Sequence, residues 1–438
     1  MDIQDFIVNR DQHMRPLEYD LSENFNELVR YLNDVGVLDN IPVGVTSESE
    51  IVSISDAYPA PPRALNVYGK STQTGTPTPD APVPILSVDE LALVLAGKNL
   101  LDVFNDPENP RKNTSAAGNG NRPFEYDSAE DTYFTTNFSI VPLVIPADGT
   151  YTMTMTAKKS ATTGNYFYHL NGYVSSNVLT NAYAQYSKTF TATAGQTLTL
   201  TIYNTAYVKN IQLEIGSTAT AYEPYQGTTV PDMLPDGTLR SLSDGTKDEL
   251  HLAYLKPSER EGWAWYSRGV TAYVGLTVLD GTLPIDLANW RASETSVGFG
   301  YSRVNFPTAD STQIMSDKLQ TATYDILYNK SVDNGIALTS FSWSNTYSVF
   351  LRVAHPELTT AALVNAWLAE NPITVQYPLA TPVTTTLDPI ELPTLPAPNA
   401  TVWCDGGSAT PTIVLEYVRD TNVAIAELGE AIADIVSG

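Results

Sequence analysis

The sequence predicts a mainly β protein: two β-sandwiches of jelly-roll type, a small split β unit, and short helices at the N- and C-terminal ends. Three observations carry this. The first is strict alternation. Tyr151, Met153 and Met155 alternate with Thr152, Thr154 and Thr156; Leu198, Leu200 and Ile202 with Thr197, Thr199 and Thr201; Ile211, Leu213 and Ile215 with Gln212 and Glu214. A period of two sends the two sets to opposite faces, the mark of half-buried strands. The second is punctuation by turn residues, at Asp148-Gly149, Thr163-Gly164-Asn165 and Ala194-Gly195. Several such strands inside residues 97–226 point to a sandwich. The third is composition. Hydrophobic residues make up 42% and charged residues only 17%, so Thr, Ser, Asn and Tyr must cover the surface, as in extended β proteins.

With 438 residues the chain is long enough for two or three domains with real cores. A net charge of −25 repels nucleic-acid phosphates and anionic membranes, so neither is expected as a partner. One cysteine, Cys404, rules out an intrachain disulfide framework and a cysteine metal cluster. No apolar run has the length of a transmembrane helix. Met1-Asp2-Ile3-Gln4-Asp5 lacks a basic stretch before an apolar core, so cytoplasmic synthesis without a signal peptide is expected.

Residues 1–60 read as a helical segment and linker. Asp20 is the predicted N-cap, with Glu23 as capping-box partner. Leu21, Phe25, Leu28 and Leu32 draw one apolar stripe, and Gly36 stops the helix. That narrow stripe suits docking on another protein or on this chain's own β domain. Residues 61–96 read as a small β unit broken by the Gly- and Pro-rich turn at 75–82.

The segment 97–226 is the predicted jelly roll. Its long polar excursion holds Asp102, Asp106, Asp127 and Asp131, oxygen donors that calcium would accept. They lack EF-hand spacing, and solvated loop carboxylates are the simpler reading, so no metal or cofactor is assigned. Aromatic residues cluster next: Tyr166, Phe167, Tyr168, Tyr173, Tyr183 and Tyr186. Sugar rings stack their C–H faces on aromatic rings while amides read the hydroxyls. Tyr166, Tyr168, Tyr173, Asn171 and Gln185 are therefore the candidate glycan-binding residues. The competing reading makes the tyrosines ordinary half-buried strand residues.

Residues 227–246 read as a linker. Residues 247–382 read as a second sandwich with one helix, capped by Thr359 or Thr360, presenting Leu363, Val364, Trp367 and Leu368, and ended by Asn371-Pro372. Trp367 is read as core. Residues 383–419 form a β segment open to pairing with 61–96, which would make one domain split around two insertions. Residues 420–438 form a helix whose Ile425, Leu428, Ile432 and Ile435 are spaced as an a/d seam, expected to mediate oligomerisation.

No enzyme is predicted. His13, His169, His251 and His355 are scattered, and no nucleophile, metalloprotease or phosphate-loop motif occurs. No pair of carboxylates stands out as a glycosidase pair. Glu214 and Glu223 read as structural acceptors.

A resemblance then appears on named motifs. Gly97-Lys98-Asn99-Leu100-Leu101 opens the segment 97–226, and Val208-Lys209-Asn210-Ile211-Gln212-Leu213-Glu214 with Ala219-Thr220-Ala221-Tyr222-Glu223-Pro224-Tyr225 closes it. This segment resembles the carbohydrate-binding-module-like jelly rolls in tail fibre, baseplate and minor structural proteins of tailed phages infecting Gram-positive bacteria. Tyr68-Gly69-Lys70-Ser71-Thr72-Gln73 with Val83-Pro84-Ile85 is similar to the segment preceding that jelly roll. Trp367-Leu368-Ala369-Glu370-Asn371-Pro372-Ile373-Thr374-Val375 with Leu379-Ala380-Thr381-Pro382 is similar to a later part of the same architecture.

The resemblance implies a virion structural protein of the tail that contributes to host-surface glycan recognition. Its implied partners are other tail or baseplate proteins, copies of itself as a homotrimer, and host cell-wall glycans. Two alternatives stay open: a purely architectural baseplate or neck component, and a glycan-degrading tail protein.

Overall fold

The computed structural model describes residues 43–54, 61–101, 125–127, 132–160, 167–170, 177–235, 237–255, 262–282, 299–304, 313–322, 335–343, 346–354, 357–358, 360–396 and 399–418. The predicted terminal helices, with Leu21, Phe25, Leu28 and Leu32 and with Ile425, Leu428, Ile432 and Ile435, lie outside these residues. The chain divides into two compact units, 1–44 with 418–438 and 45–417. The second holds nearly all the described residues.

The described residues are mainly β. The strands are β1 Val43–Val45, β2 Ile51–Ile54, β3 Ala64–Tyr68, β4 Ser71–Thr72, β5 Leu86–Ser87 and β6 Ala92–Ala96. Next come β7 Glu125–Asp127, β8 Thr132–Val144, β9 Gly149–Lys159, β10 Phe167–Leu170, β11 Asn177–Val178, β12 Ala184–Ala192 and β13 Thr197–Ile215. The remainder are β14 Gly227–Val230, β15 Glu249–Leu255, β16 Trp263–Leu279, β17 Phe299–Val304, β18 Met315–Ser316, β19 Gln320–Ala322, β20 Gly335–Trp343, β21 Thr346–Ala354, β22 Ile373–Pro393, β23 Ala400–Asp405 and β24 Thr412–Val418. One helix, α1 (Ala361–Glu370), occurs among the described residues.

Three cores organise these strands. The first lies between two sheets. One runs β24-β3-β15-β16-β22-β18. The other runs β14-β6-β23-β2. Cross-strand rows build the apolar filling: Ile413–Val67–Leu250 and Leu415–Leu65–Leu252 in the first sheet, Val52–Val402–Leu95 and Cys404–Leu93–Val230 in the second. All twelve are buried, and each fully buried aliphatic chain of this size contributes about 1.5–3 kcal/mol of transfer free energy.

These rows redraw several expected boundaries. Residues 51–54 are not linker: Val52 and Ile54 are core residues of a strand paired with β23. Residues 227–246 are not linker either. Gly227–Val230 pairs with β6, and Met233, Leu234, Leu239 and Leu242 are buried. Their Pro and Gly residues shape turns around buried leucines rather than a solvated connector. Residues 373–393 form one continuous strand across the expected 382/383 boundary, and β15 with the first half of β16 belongs to the first core.

The stretch 231–248 ends on a buried carboxylate. Asp248 Oδ1 accepts from Tyr273 N at 2.8 Å and Val274 N at 2.9 Å, and Oδ2 accepts from Arg240 N at 2.9 Å. The two β16 amides belong to the irregularity between Ala272 and Val274, where Tyr273 has no partner and the register on β22 jumps from Val383 to Pro378. Asp248 thereby satisfies amides that the bulge turns away from the ladder. Burial pushes its carboxyl above the ordinary carboxylate value, against the pull of those amides.

The second core belongs to the segment between β6 and β14. Ala96 and Gly227 are direct antiparallel partners, and Gly97 N donates to Gln226 O at 2.6 Å. The segment 97–226 therefore leaves and rejoins the first sandwich at one point. Its backbone is organised on β13, 19 residues long. One edge of β13 pairs with β8; the other pairs first with β10 and then with β9, which carries β12. Tyr151, Met153, Met155, Leu198, Leu200, Val208, Ile211 and Leu213 fill the interior. Trp403 and Tyr225 pack against this cluster from the host sandwich and the returning chain.

The third core is built where β16 and β22 run on past the first. Leu279, Ile373, Val375 and Tyr377 meet Val364 and Leu368 of α1 together with Ile314, Leu319 and Leu351. Thr360 caps the helix, its hydroxyl accepting from Leu363 N. Asn371 closes it, donating its backbone N–H to Trp367 O at 2.8 Å. Ala361, Val364 and Leu368 face inward while Leu363 is exposed; Trp367 packs half-buried against the cluster. The four-stranded sheet β17-β21-β20-β19 lies beside them, with Leu351 of β21 buried in the same core.

Candidate functional site

The outward face of β9, β12 and β13 is the surface with the most unusual chemistry among the described residues. Its rows follow from register. Tyr207 pairs with Lys158, Lys209 with Thr156, Gln212 with Thr154, and Glu214 with Thr152. On the other side of β9, Gln185 pairs with Thr156, Ser187 with Thr154 and Thr189 with Thr152. The step from 209 to 212 is a bulge centred on Asn210, whose φ is +54°. Asn tolerates this left-handed conformation better than most residues. Because of the extra residue, Tyr207, Lys209, Gln212 and Glu214 all face outward, while Val208, Ile211 and Leu213 face the core.

Half of this face is covered. Thr152, Thr154, Gln212 and Glu214 are buried. The segment after β13 lies on them. Glu214 accepts from Thr220 N at 3.0 Å, Thr220 Oγ1 at 2.6 Å and Gln212 Nε2 at 3.0 Å, and Gln212 Oε1 accepts from Glu223 N at 2.8 Å. From the opening of the segment, Asn99 joins in. Its Nδ2 donates to Ile211 O and Glu223 O, and its Oδ1 accepts from Leu101 N and Leu213 N. The two ends of the segment thus close over the same strand pair. Glu214 and Glu223 serve as hydrogen-bond acceptors there, and the Thr-face alternation of β9 is covered on both sides rather than half-exposed.

The other half is only partly covered. Lys158 Nζ lies 4.6 Å from the Tyr183 ring centroid and 4.8 Å from that of Tyr207, and Lys209 Nζ lies 4.8 Å from Tyr183. An ammonium near the negative face of an aromatic ring gains about 0.5–1 kcal/mol at an exposed site. Tyr183, Tyr207, Lys158, Lys209 and Thr156 are half-buried and Gln185 is exposed. The face offers two aromatic rings, two ammonium groups, an amide and a hydroxyl within two adjacent rows of three strands. Such a surface stacks an apolar ring face and hydrogen-bonds the groups around its edge.

Of the residues expected to bind glycan, Gln185 stands on this face. Tyr168 lies on β10 opposite Ile202, at the other edge of β13 from β8; β10 pairs with the earlier part of β13 and not with the part that carries Lys209. Tyr166, Asn171 and Tyr173 lie outside the described residues, as do Asp102, Asp106 and Asp131; of Asp127 only its backbone place in β7 is described. Tyr186 is a core residue whose hydroxyl accepts from Thr180 N at 2.9 Å. Sequence reasoning passed over Lys158, Tyr207 and Lys209. Their signal is the phase change between Val208 and Ile211, two core residues three apart with Asn210 between.

Elsewhere, Cys404 is buried among apolar neighbours that push its thiol far above the ordinary value, leaving it inert. Among the described residues no group of three or more His, Cys, Asp and Glu side chains gathers for a metal ion. No helix among them is long and apolar enough to cross a membrane.

No known family model matches the chain. No curated protein matches it either. Among solved structures, tripeptidyl peptidase 2 (TPP II) aligns over 91% of this chain and 39% of its own, at 10% identity and a TM-score of 0.14, a likeness too slight to bear on fold or activity.

Proposed function

We propose that this chain is a non-enzymatic structural protein of a phage tail fibre or baseplate whose inserted jelly roll recognises cell-surface saccharide through the partly covered face around Tyr183 and Tyr207. The observation that carries the recognition reading is that face: two rings with two lysines close to them, and Gln185 and Thr156 in the adjacent row. Support for the tail assignment comes from the resemblance of 97–101 and 208–225 to the phage jelly rolls. In this reading the N-terminal stripe of Leu21, Phe25, Leu28 and Leu32 docks on another tail protein, and the seam of Ile425, Leu428, Ile432 and Ile435 holds a homotrimer. Single-site affinity is weak, near millimolar, and several copies on one particle raise it.

The test measures binding of the purified chain to isolated host cell walls and to a glycan array, with Tyr183→Ala/Tyr207→Ala as comparison, and locates the chain in intact particles with an antibody. Saccharide binding lost in the double variant, with label on the tail, supports the reading. Label on the tail without saccharide binding would make the chain architectural. Release of reducing sugar from host polysaccharide would make it degradative.

A further inference from the structure

β22 is the longest strand among the described residues, and along part of it one edge has no neighbour. β16 pairs with one side of it between Ile373 and Pro393, while β18 meets the other side at Val375 and Gln376. From Val383 to Leu387 the described residues offer no backbone partner besides β16. Val383 is 55% exposed, and Thr384, Thr385 and Thr386 are exposed as well. A bare edge is a template for another strand, and proteins blunt such edges with Lys, Pro or bulges. Here the blunting stands at the two ends of the stretch. Pro382 lies in the register jump beside Tyr273, and Pro389 in the jump between Leu387 and Ile390. The five residues between them carry none of these devices.

Charge and sequence together select the occupant. Two copies of a chain with a net charge of −25 repel, and they approach most easily through uncharged surface. Residues 371–387 contain no Asp, Glu, Lys or Arg. The bare stretch is also complementary to itself. Set antiparallel on a second copy about Thr385, Val383 lies opposite Leu387, Thr384 opposite Thr386, and Thr385 opposite Thr385. The exposed Val383 then gains an apolar neighbour in Leu387, which already leans on the first core, and Thr–Thr pairs favour cross-strand contact. A foreign strand offers the same backbone bonds; a second copy adds a matching side chain at every position. We propose that this edge binds a second copy of the chain: the two β22 strands pair antiparallel across a two-fold axis at Thr385, joining two sheets into one. The contact is separate from the C-terminal seam and does not rest on saccharide recognition. Five paired residues a side make a small interface, so association is weak and depends on concentration.

The experiment measures mass against concentration by sedimentation equilibrium. It uses the full-length chain carrying Ile432→Asp, which disables association through the terminal seam. The expected result is an equilibrium between one chain and two. Thr385→Lys and Thr385→Glu each place like charges opposite one another at the axis and should raise the dissociation constant at least about fivefold. Mixing the two variants should restore the two-chain species as a heterodimer. Val383→Lys sets an ammonium against Leu387 of the other copy and should weaken pairing as well, a second reading should a substitution at Thr385 disturb folding. Melting temperatures of the dilute chains should stay within a few degrees, since both positions are exposed. A single-chain mass at every concentration overturns the proposal. A two-chain species that all three variants leave unchanged also overturns it and places the contact elsewhere. A mixture that fails to recover the two-chain species overturns the two-fold register at Thr385.

Discussion

Lys98 Nζ and Glu223 Oε1 stand 125 residues apart in sequence and 2.7 Å apart in space. They mark the outside of a closure whose inside is Asn99, buried and bonded through both side-chain atoms to the returning chain. The two layers differ in weight. The ion pair is partly solvated and contributes no more than about 1 kcal/mol. Asn99→Ala leaves buried backbone donors and acceptors unpaired and is expected to cost about 3 kcal/mol. Chemical denaturation of Lys98→Met and Asn99→Ala should show this ordering; equal effects would place the closure's strength in the ion pair.

The single junction at Ala96 and Gly227 makes the inserted segment removable. Replacing 97–226 by an Asn-Gly turn should leave a folded sandwich, because its remaining cross-strand rows do not depend on the insert. Trp403 loses the cluster it packs on, so Trp403→Thr is included to keep the product soluble. A cooperative thermal transition and a β circular dichroism spectrum are expected. A molten or aggregated product would show that the insert is part of the sandwich's own stability.

Asp248 predicts a pH dependence. Its carboxyl is raised by burial above the ordinary 3.8, so the folded chain holds that proton more tightly than the unfolded chain. The contribution to stability is therefore full below about pH 3.8 and is lost as pH rises through the raised value. Asp248→Asn carries no such proton, and its altered bond to Arg240 N is a constant offset. The stability of wild type relative to Asp248→Asn should fall as pH rises through this window. A difference flat in pH, or one rising with pH, would mean that the three amides outweigh burial.

Gly281 turns the chain at the end of β16 with φ +82°, and a Cβ there would lie 2.3 Å from the carbonyl oxygen of Asn365 in α1. Backbone cannot yield as a side-chain tip does. Gly281→Ala should cost about 2–3 kcal/mol, combining left-handed strain with a shifted helix. Urea unfolding measures it. A change under about 0.5 kcal/mol would show that α1 moves away at little cost.

Tyr186 and Tyr207 separate stability from recognition. Tyr186→Phe removes the acceptor for Thr180 N and should lower stability by about 1 kcal/mol without altering ligand affinity. Tyr207→Ala should weaken saccharide binding while the melting temperature changes by a few degrees. Paired calorimetry and glycan titration check both; the reverse pattern would put the site elsewhere on the inserted segment.

Much of the strand layout was readable because burial and alternation agree. Leu198, Leu200, Ile211 and Leu213 announce β13, and Thr360 with Asn371-Pro372 brackets α1. Two things escaped. Residues 227–246 carry the turn residues of a linker, yet burial of Met233, Leu234 and Leu239 depends on strands far away in sequence. The face around Tyr183 escaped for a sharper reason. Strict alternation puts Lys209 and Ile211 on the same side; only the extra residue at Asn210 sends Lys209 outward and Ile211 inward. Tyr168 and Tyr183 look equivalent in sequence, but pairing assigns them to different strands and different neighbours.

The junction at Ala96 and Gly227 has a mechanical consequence. A pull on the inserted segment reaches the host sandwich through two covalent tethers at once, both leaving the same end of neighbouring strands. Tension then runs along β6 and β14 rather than across them. β6 is gripped by β23 through partners from Thr401 and Ala96 to Asp405 and Ala92, and these bonds would have to slide together rather than open one at a time. A load that would unzip a hairpin held by one end is here shared in shear across a whole sheet.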